Sequence, residues 1–159
     1  MILDFEYDLI DARLCSDEYI RFFMQYCDEL VKEDSSLKQY DFTELAKENL
    51  NTRQDHPYIV KALGESAGLV VFMDEDDKES VCKSYIGELY ILPKYRRHGI
   101  GGKIAEKYLL SQKYDVGLCF IRGSFAEKFW KTRMSQLGYS YKISREDEVR
   151  DFMHIYIKR

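Results

Sequence analysis

Short runs of period-two apolar residues alternate with longer three-and-four-spaced stripes, and this predicts a mixed α/β fold. A second observation agrees: 13 tyrosines and 9 phenylalanines are residue types that favour sheets. At 159 residues the length is that of one domain, 1–159, with enough chain to bury a core. The order reads strand, two helices, three strands, helix, strand, helix, two strands.

Ile2 to Ile10 alternates loosely through Leu3, Phe5, Tyr7 and Leu9 and reads as an edge strand. Ser16 is placed to cap a helix from Asp17 to Lys32, with Ile20, Phe23, Met24, Cys27, Leu30 and Val31 as its inward stripe. Asp41 and Glu44 are spaced as a capping box and open a shorter helix through Leu45 to Leu50, followed by a polar loop from Asn51 to His56. Tyr58 to Leu63 and Ala67 to Met73 are strand-like runs joined by Gly64-Glu65-Ser66, a hairpin by turn chemistry. Asp74 to Ser80 is an acidic connection. A solvated loop is the favoured reading, an electrostatic lure for a cationic amine the sharper one.

The stretch from Tyr85 to Leu110 carries most of the information. Ile86, Tyr90 and Leu92 alternate with Glu88, while Leu89 and Ile91 make the second face apolar too. That is the pattern of a central strand covered on both sides. Pro93 ends it, and a helix follows with Ile104/Tyr108 and Ala105/Leu109 at four-residue spacing. Between them lies a basic turn with glycines at 99, 101 and 102. Unpaired amides and the positive end of the helix dipole converge there, glycine leaves room for an anion, and Arg96, Arg97, His98 and Lys103 add donors. The combination predicts a phosphate cradle. A dinucleotide fingerprint fails because Ile104 stands where a glycine is needed. A P-loop fails at Ile104 and at Arg97.

Beyond the helix, Val116 to Ile121 is a short apolar strand. Phe125 to Leu137 reads as a helix with Phe125, Phe129, Trp130, Met134 and Leu137 on one face, stopped by Gly138. Ser140 to Ser144 and Phe152 to Ile157 close the chain as a hairpin, joined by the polar segment Arg145 to Asp151. No repeat, low-complexity segment or interdomain linker interrupts this order.

Arg96-Arg97-His98-Gly99-Ile100-Gly101 follows the Arg/Gln-x-x-Gly-x-Gly/Ala pattern. With Glu88-Leu-Tyr-Ile-Leu-Pro-Lys-Tyr before it and an amphipathic helix after it, the segment resembles the pyrophosphate loop of the GNAT family of acyl-CoA-dependent N-acyltransferases. Ala126-Glu-Lys-Phe129-Trp130 and Gly138-Tyr139 echo the family's second helix. The likeness runs from about Tyr58 to Arg159, while residues 1–57 match only in element order.

The resemblance implies a mixed, mostly antiparallel sheet of about seven strands with helices on both faces. It also implies acetyl-CoA (coenzyme A) as co-substrate and no metal. The pyrophosphate would sit on amides from Arg97 to Gly101, within a cofactor loop of Arg96, Arg97, His98, Gly99, Ile100, Gly101, Gly102 and Lys103. Pantetheine would lie along main-chain groups of Leu89, Tyr90 and Ile91, between two parallel strands that splay apart. The Ile91 N–H would face the thioester carbonyl, and Glu88 would take the amine's proton, directly or through water. His98 would donate to phosphate. The polar loop after the second helix would line the acceptor side.

One departure stands out. Many members carry a tyrosine on the second helix to protonate the departing thiolate. Here that position is Trp130 or Met134, depending on the alignment, and neither is an acid. Gly123 and Ser124 also stand where the family often has asparagine. Tyr139 and Tyr141 are substitutes by sequence proximity, although core packing is the favoured explanation for both.

The implied activity is N-acetyl transfer to a primary amine of a small molecule, peptide or protein. The rival is a non-catalytic CoA-binding sensor or interaction module of the same fold. A net charge of −4 argues against a nucleic-acid partner. Cys15, Cys27, Cys82 and Cys119 show no zinc spacing. The longest apolar run, Leu69 to Met73, is far too short for a membrane span. A reducing cytoplasm is the expected compartment, and a homodimer is common among relatives.

Overall fold

The computed structural model describes residues 5–158. Seven strands form one sheet in the order β1-β2-β3-β4-β5-β7-β6. Their ranges are β1 (Tyr7–Asp11), β2 (Asp55–Ala62), β3 (Glu65–Asp74), β4 (Ser84–Ile91), β5 (Val116–Ile121), β6 (Tyr141–Arg145) and β7 (Arg150–Ile155). The helices are α1 (Ser16–Glu33), α2 (Phe42–Asn51), α3 (Ile100–Leu110) and α4 (Phe125–Leu137). β1 pairs antiparallel with β2, β5 with β7, and β6 with β7, while β4 and β5 run parallel. The element order is the expected one. Ile2 to Asp4 of the expected first strand lie outside the described residues.

The chain divides into two compact units, 5–72 with 88–101, and 73–87 with 102–158. In the first, α1 buries Tyr19, Phe22, Phe23 and Cys27. The buried stripe is therefore rotated from the expected one, because the aromatic rings at 19 and 22 carry more apolar area than Ile20 and Met24. Ser16 is the first helical residue, not the cap: its hydroxyl donates to the Arg13 carbonyl, and Cys15 stands at the N-cap with its thiol turned to the Asp11 carbonyl instead of the helix amides. Asp41 does cap α2, accepting from the Glu44 amide at 3.2 Å. The polar loop after α2 is shorter than expected, since Asn51 ends the helix and Asp55 begins β2.

Arg13 sits in a short 3-10 turn, Ala12–Leu14. Its guanidinium donates to the carbonyls of Leu50 at 2.9 Å, Thr52 at 3.1 Å and Asp55 at 2.7 Å. Leu50 and Thr52 accept at the C-terminal end of α2, where helix carbonyls lack intrahelical partners, and Asp55 accepts at the start of β2. The β2–β3 turn is centred on Leu63 and Gly64, at φ +54° and +75°, one residue earlier than Gly64-Glu65-Ser66. Two successive left-handed residues are the two-residue hairpin turn that matches strand twist. Near β3, Ser66 donates to Glu18, and Tyr95 and Lys94 donate to Glu65.

In the second unit the acidic connection folds onto Lys83, whose ammonium donates to the carbonyls of Asp77, Lys78 and Ser80. That closed loop fits the solvated reading. On α4, Trp130 and Met134 are buried, whereas Phe125 is 69% exposed. Phe125 is the first helical residue, directly after the Ser124 cap, so the apolar face begins a turn later than expected. Gly138 closes the helix at φ +78°. Gly117 of β5 is required by its neighbours: a Cβ there would lie 2.7 Å from both the Phe152 and Tyr85 rings. Asp115 accepts from the Ile157 amide and bonds His154 at 2.8 Å, tying down the chain after β7.

Candidate functional site

The basic turn between β4 and α3 reverses its backbone twice. A 3-10 turn at Pro93–Tyr95 leads out of β4; then Arg97 and Gly99 take left-handed conformations at φ +66° and +79°. Such reversals bend successive amides toward one concave side. An L side chain at +66° is strained, a cost retained mainly where the surrounding structure or function demands it. α3 starts at Ile100, so its first amides, Ile100 to Lys103, have no intrahelical acceptors. The Ile100 side chain is buried, leaving its main chain as the part that can serve a ligand.

The side chains of the turn are less uniform than the sequence implies. Arg96 points back into its own unit: its Nε donates to the Ile91 carbonyl at 2.7 Å and its Nη2 pairs with Glu29 of α1 at 3.0 Å. The guanidinium also lies 5.5 Å from the Tyr90 ring centroid. Arg96 thus anchors the turn rather than standing as an uncommitted phosphate donor. The His98 ring stacks on Phe5, centroids 4.0 Å apart. Arg97 is exposed. Gly102, in the second unit, packs under Arg133: a Cβ there would meet that guanidinium at 2.4 Å.

Leu89, Tyr90 and Ile91 form the end of β4. The Tyr90 carbonyl turns toward β3, where a Cβ on Gly68 would lie only 2.0 Å from it and 3.0 Å from the Ile91 Cα. One residue further on, the Leu92 amide donates to the Ala67 carbonyl at 2.8 Å. Only glycine at 68 allows the β4 backbone to press this closely. The β4–β5 ladder consists of Ser84↔Val116 and Tyr85↔Gly117.

Glu88 is half-buried, and Tyr26 of α1 donates to its Oε2 at 2.5 Å. Burial and the Glu88 charge hold the Tyr26 phenol well above its usual range. The same two influences push the Cys27 thiol up to about 12. Tyr26 packs on Tyr90 with centroids 5.2 Å apart and against Phe23 edge-on at 6.1 Å. The Tyr90 hydroxyl is buried with no hydrogen bond of good geometry among the described residues. Burial first, then the nearby Glu29 carboxylate, raises it to about 12. Glu33 is also raised, by burial and by Glu29, with Arg96 opposing.

Sequence reasoning missed two of these residues. Gly68 left a signal, a glycine inside an apolar strand run, which marks a bulge or a close backbone approach. Tyr26 left none, because its partner is 62 positions away. No group of residues suited to a metal ion occurs among the described residues, and none of their helices is long and apolar enough to cross a membrane.

A seven-stranded sheet with a parallel β4–β5 pair, and a glycine-bearing turn leading from β4 into α3, is the architecture of the GNAT acetyltransferase fold. The model of the acetyltransferase (GNAT) family matches residues 16–115, well over half of the chain, which therefore belongs to that family. Acetyl-CoA is the family's co-substrate. Solved structures agree in fold at low identity. An acetyltransferase from Thermus thermophilus is 10% identical with a TM-score of 0.64, covering 96% of this chain and 97% of its own. Microcin C7 self immunity acetyltransferase MccE, solved with acetyl-CoA and AMP, is 12% identical at TM-score 0.67, with coverages of 96% and 93%. A chain of the NatC complex bound to Gag peptide and CoA is 19% identical at TM-score 0.63, with coverages of 99% and 100%. No curated protein matches the chain in sequence.

Proposed function

We propose that this chain is a single-domain N-acetyltransferase, moving the acetyl group of acetyl-CoA directly onto a primary amine. The observation that carries the reading is the pair of left-handed residues, Arg97 and Gly99, immediately before the unpaired amides of α3. The diphosphate of acetyl-CoA would rest on main-chain N–H groups from Arg97 to Gly101, with His98, Gly102 and Lys103 at its margin. Arg96 would contribute by holding the turn. The acyl arm would follow the main chain of Leu89, Tyr90 and Ile91, with the Ile91 N–H directed at the thioester oxygen.

The amine nitrogen forms the new bond to the thioester carbon, the C–S bond breaks, and the electron pair leaves on sulfur. Glu88 accepts the amine proton. Removing it costs about 4.6 kcal/mol at pH 7 for a lysine-like amine and about 1 kcal/mol for an α-amine. Holding the amine against the thioester supplies much of the remaining acceleration. Trp130 and Met134 are both buried apolar residues, so water protonates the leaving thiolate, which at pH 7 is disfavoured by only about 2 kcal/mol. The missing acid also supports the second reading, a CoA-binding module without turnover.

Thiol release from acetyl-CoA with a panel of small amines and N-terminal and lysine peptides separates the two readings. Amine-dependent release that falls steeply in Glu88→Gln is the expected result. Acetyl-CoA binding with no release for any amine would leave the module.

A further inference from the structure

We infer that Tyr26 is a positioning residue of this site: from α1 its phenol engages Glu88 Oε2 and fixes the orientation of that carboxylate. The inference rests on the proposed role of Glu88. Nothing in the family motif points to position 26, which lies well before the cofactor turn in sequence.

Three observations place the phenol. Its hydroxyl stands 2.5 Å from Glu88 Oε2, at the short end for an O–H···O⁻ bond. Its ring is held on two sides, edge-on by Phe23 and at a tilt by Tyr90, so the hydroxyl has little freedom to swing away. Tyr90 is in turn covered by the Arg96 guanidinium, which Glu29 and the Ile91 carbonyl hold in place. One packed series therefore links α1, the end of β4 and the cofactor turn. The Tyr26–Glu88 bond and the Arg96–Ile91 bond are the two ends of that series.

A glutamate side chain has several rotamers of similar energy, and a base must point at the proton it removes. A donor fixed by packing on one carboxylate oxygen selects among them. That donor also favours the ionised carboxylate and so lowers its proton affinity. On α1 the Glu88 charge also acts on Tyr19 and Cys27, and Glu33 acts on Tyr26 itself. Tyr19 is buried and accepts from Asn49, and Cys27 is a neutral thiol at neutral pH.

The test is Tyr26→Phe, which removes one oxygen and keeps the ring. In protein with carbon-13 at the glutamate carboxyls, the Glu88 signal, assigned by its loss in Glu88→Gln, should titrate about one pH unit higher than in the wild type. With an acceptor amine from the panel, kcat at pH 7 should fall about tenfold, while KM for acetyl-CoA stays within about twofold. The acid limb of the kcat profile should move upward with the NMR titration, and Tyr26→Phe should add no loss in a Glu88→Gln background. If Tyr26→Phe does not fold, 3-fluorotyrosine at position 26, a stronger donor of nearly the same shape, should move the Glu88 titration downward. An unchanged Glu88 titration in both variants overturns the inference and leaves the role of Glu88 standing. Full turnover by Glu88→Gln at every pH overturns the role of Glu88 and this inference with it.

Discussion

Replacing Gly68 by alanine tests whether the end of β4 is held in the place acyl transfer requires. The added Cβ would lie 2.0 Å from the Tyr90 carbonyl oxygen and 3.0 Å from the Ile91 Cα, where ordinary contact begins at 3.4 Å. Both obstructing atoms belong to backbone, so no side chain can rotate aside. Relief requires β3 and β4 to separate locally by more than 1 Å. Overpacking of this kind costs about 1–3 kcal/mol, which for a domain of this size lowers Tm by about 2–12 °C. The functional effect should exceed the stability effect, since a displacement of about 1 Å at a reacting centre can cost about 10²-fold in rate. The assay pairs a thermal melt with thiol release at saturating acetyl-CoA. Gly64→Asn is the control, because position 64 is also left-handed but nothing lies within 4 Å of its Cβ, and asparagine tolerates that conformation. A Gly68→Ala protein with wild-type Tm and wild-type kcat would refute the claim that Gly68 sets the position of Tyr90 and Ile91.

Two further outcomes follow from the cofactor turn and the last hairpin. Gly99→Val places a β-branched residue at φ +79°, a conformation that costs an L residue about 1–2 kcal/mol. Calorimetry should find acetyl-CoA bound about 5- to 30-fold more weakly, and unchanged affinity would remove this turn from the diphosphate site. Asp147 accepts from the amides of Val149 and Arg150 and from the Arg150 guanidinium, interactions that lower its pKa to about 2. A carboxyl lowered by folding stabilises the native state above its unfolded pKa and loses that contribution as pH falls through the folded one. The Tm difference between wild type and Asp147→Asn should therefore be full at pH 5, shrink as pH falls toward 2, and vanish only below the folded pKa of about 2. A difference independent of pH would show that the charge contributes nothing.

Much of this fold is legible in the sequence because local chemistry and burial agree. β5 and α4 begin and end where the pattern places them, at Val116, Ile121, Phe125 and Leu137, since an apolar run and a glycine stop are short-range signals. Features that depend on distant partners are not legible. Ser16 looks like a cap, but its hydroxyl turns back to Arg13. Leu63 occupies a left-handed turn position that residue preference would assign elsewhere. The glycine pattern of the turn before α3 can be read directly, because Gly99 is left-handed. The engagement of Arg96 with Glu29, 67 positions away, and of Tyr26 with Glu88 cannot, because helix periodicity says which residues face inward and not which groups they meet.

The grip of Arg13 on Leu50, Thr52 and Asp55 has a bearing on how far this edge can adapt. Three carbonyls fastened to one planar cation make the crossing from α2 to β2 a stiff edge instead of a pliant strap. A stiff edge loses little entropy when another molecule settles against it. It also conforms poorly to an ill-fitting one. Arg13→Lys, which keeps the charge but loses the planar fork, would loosen that edge.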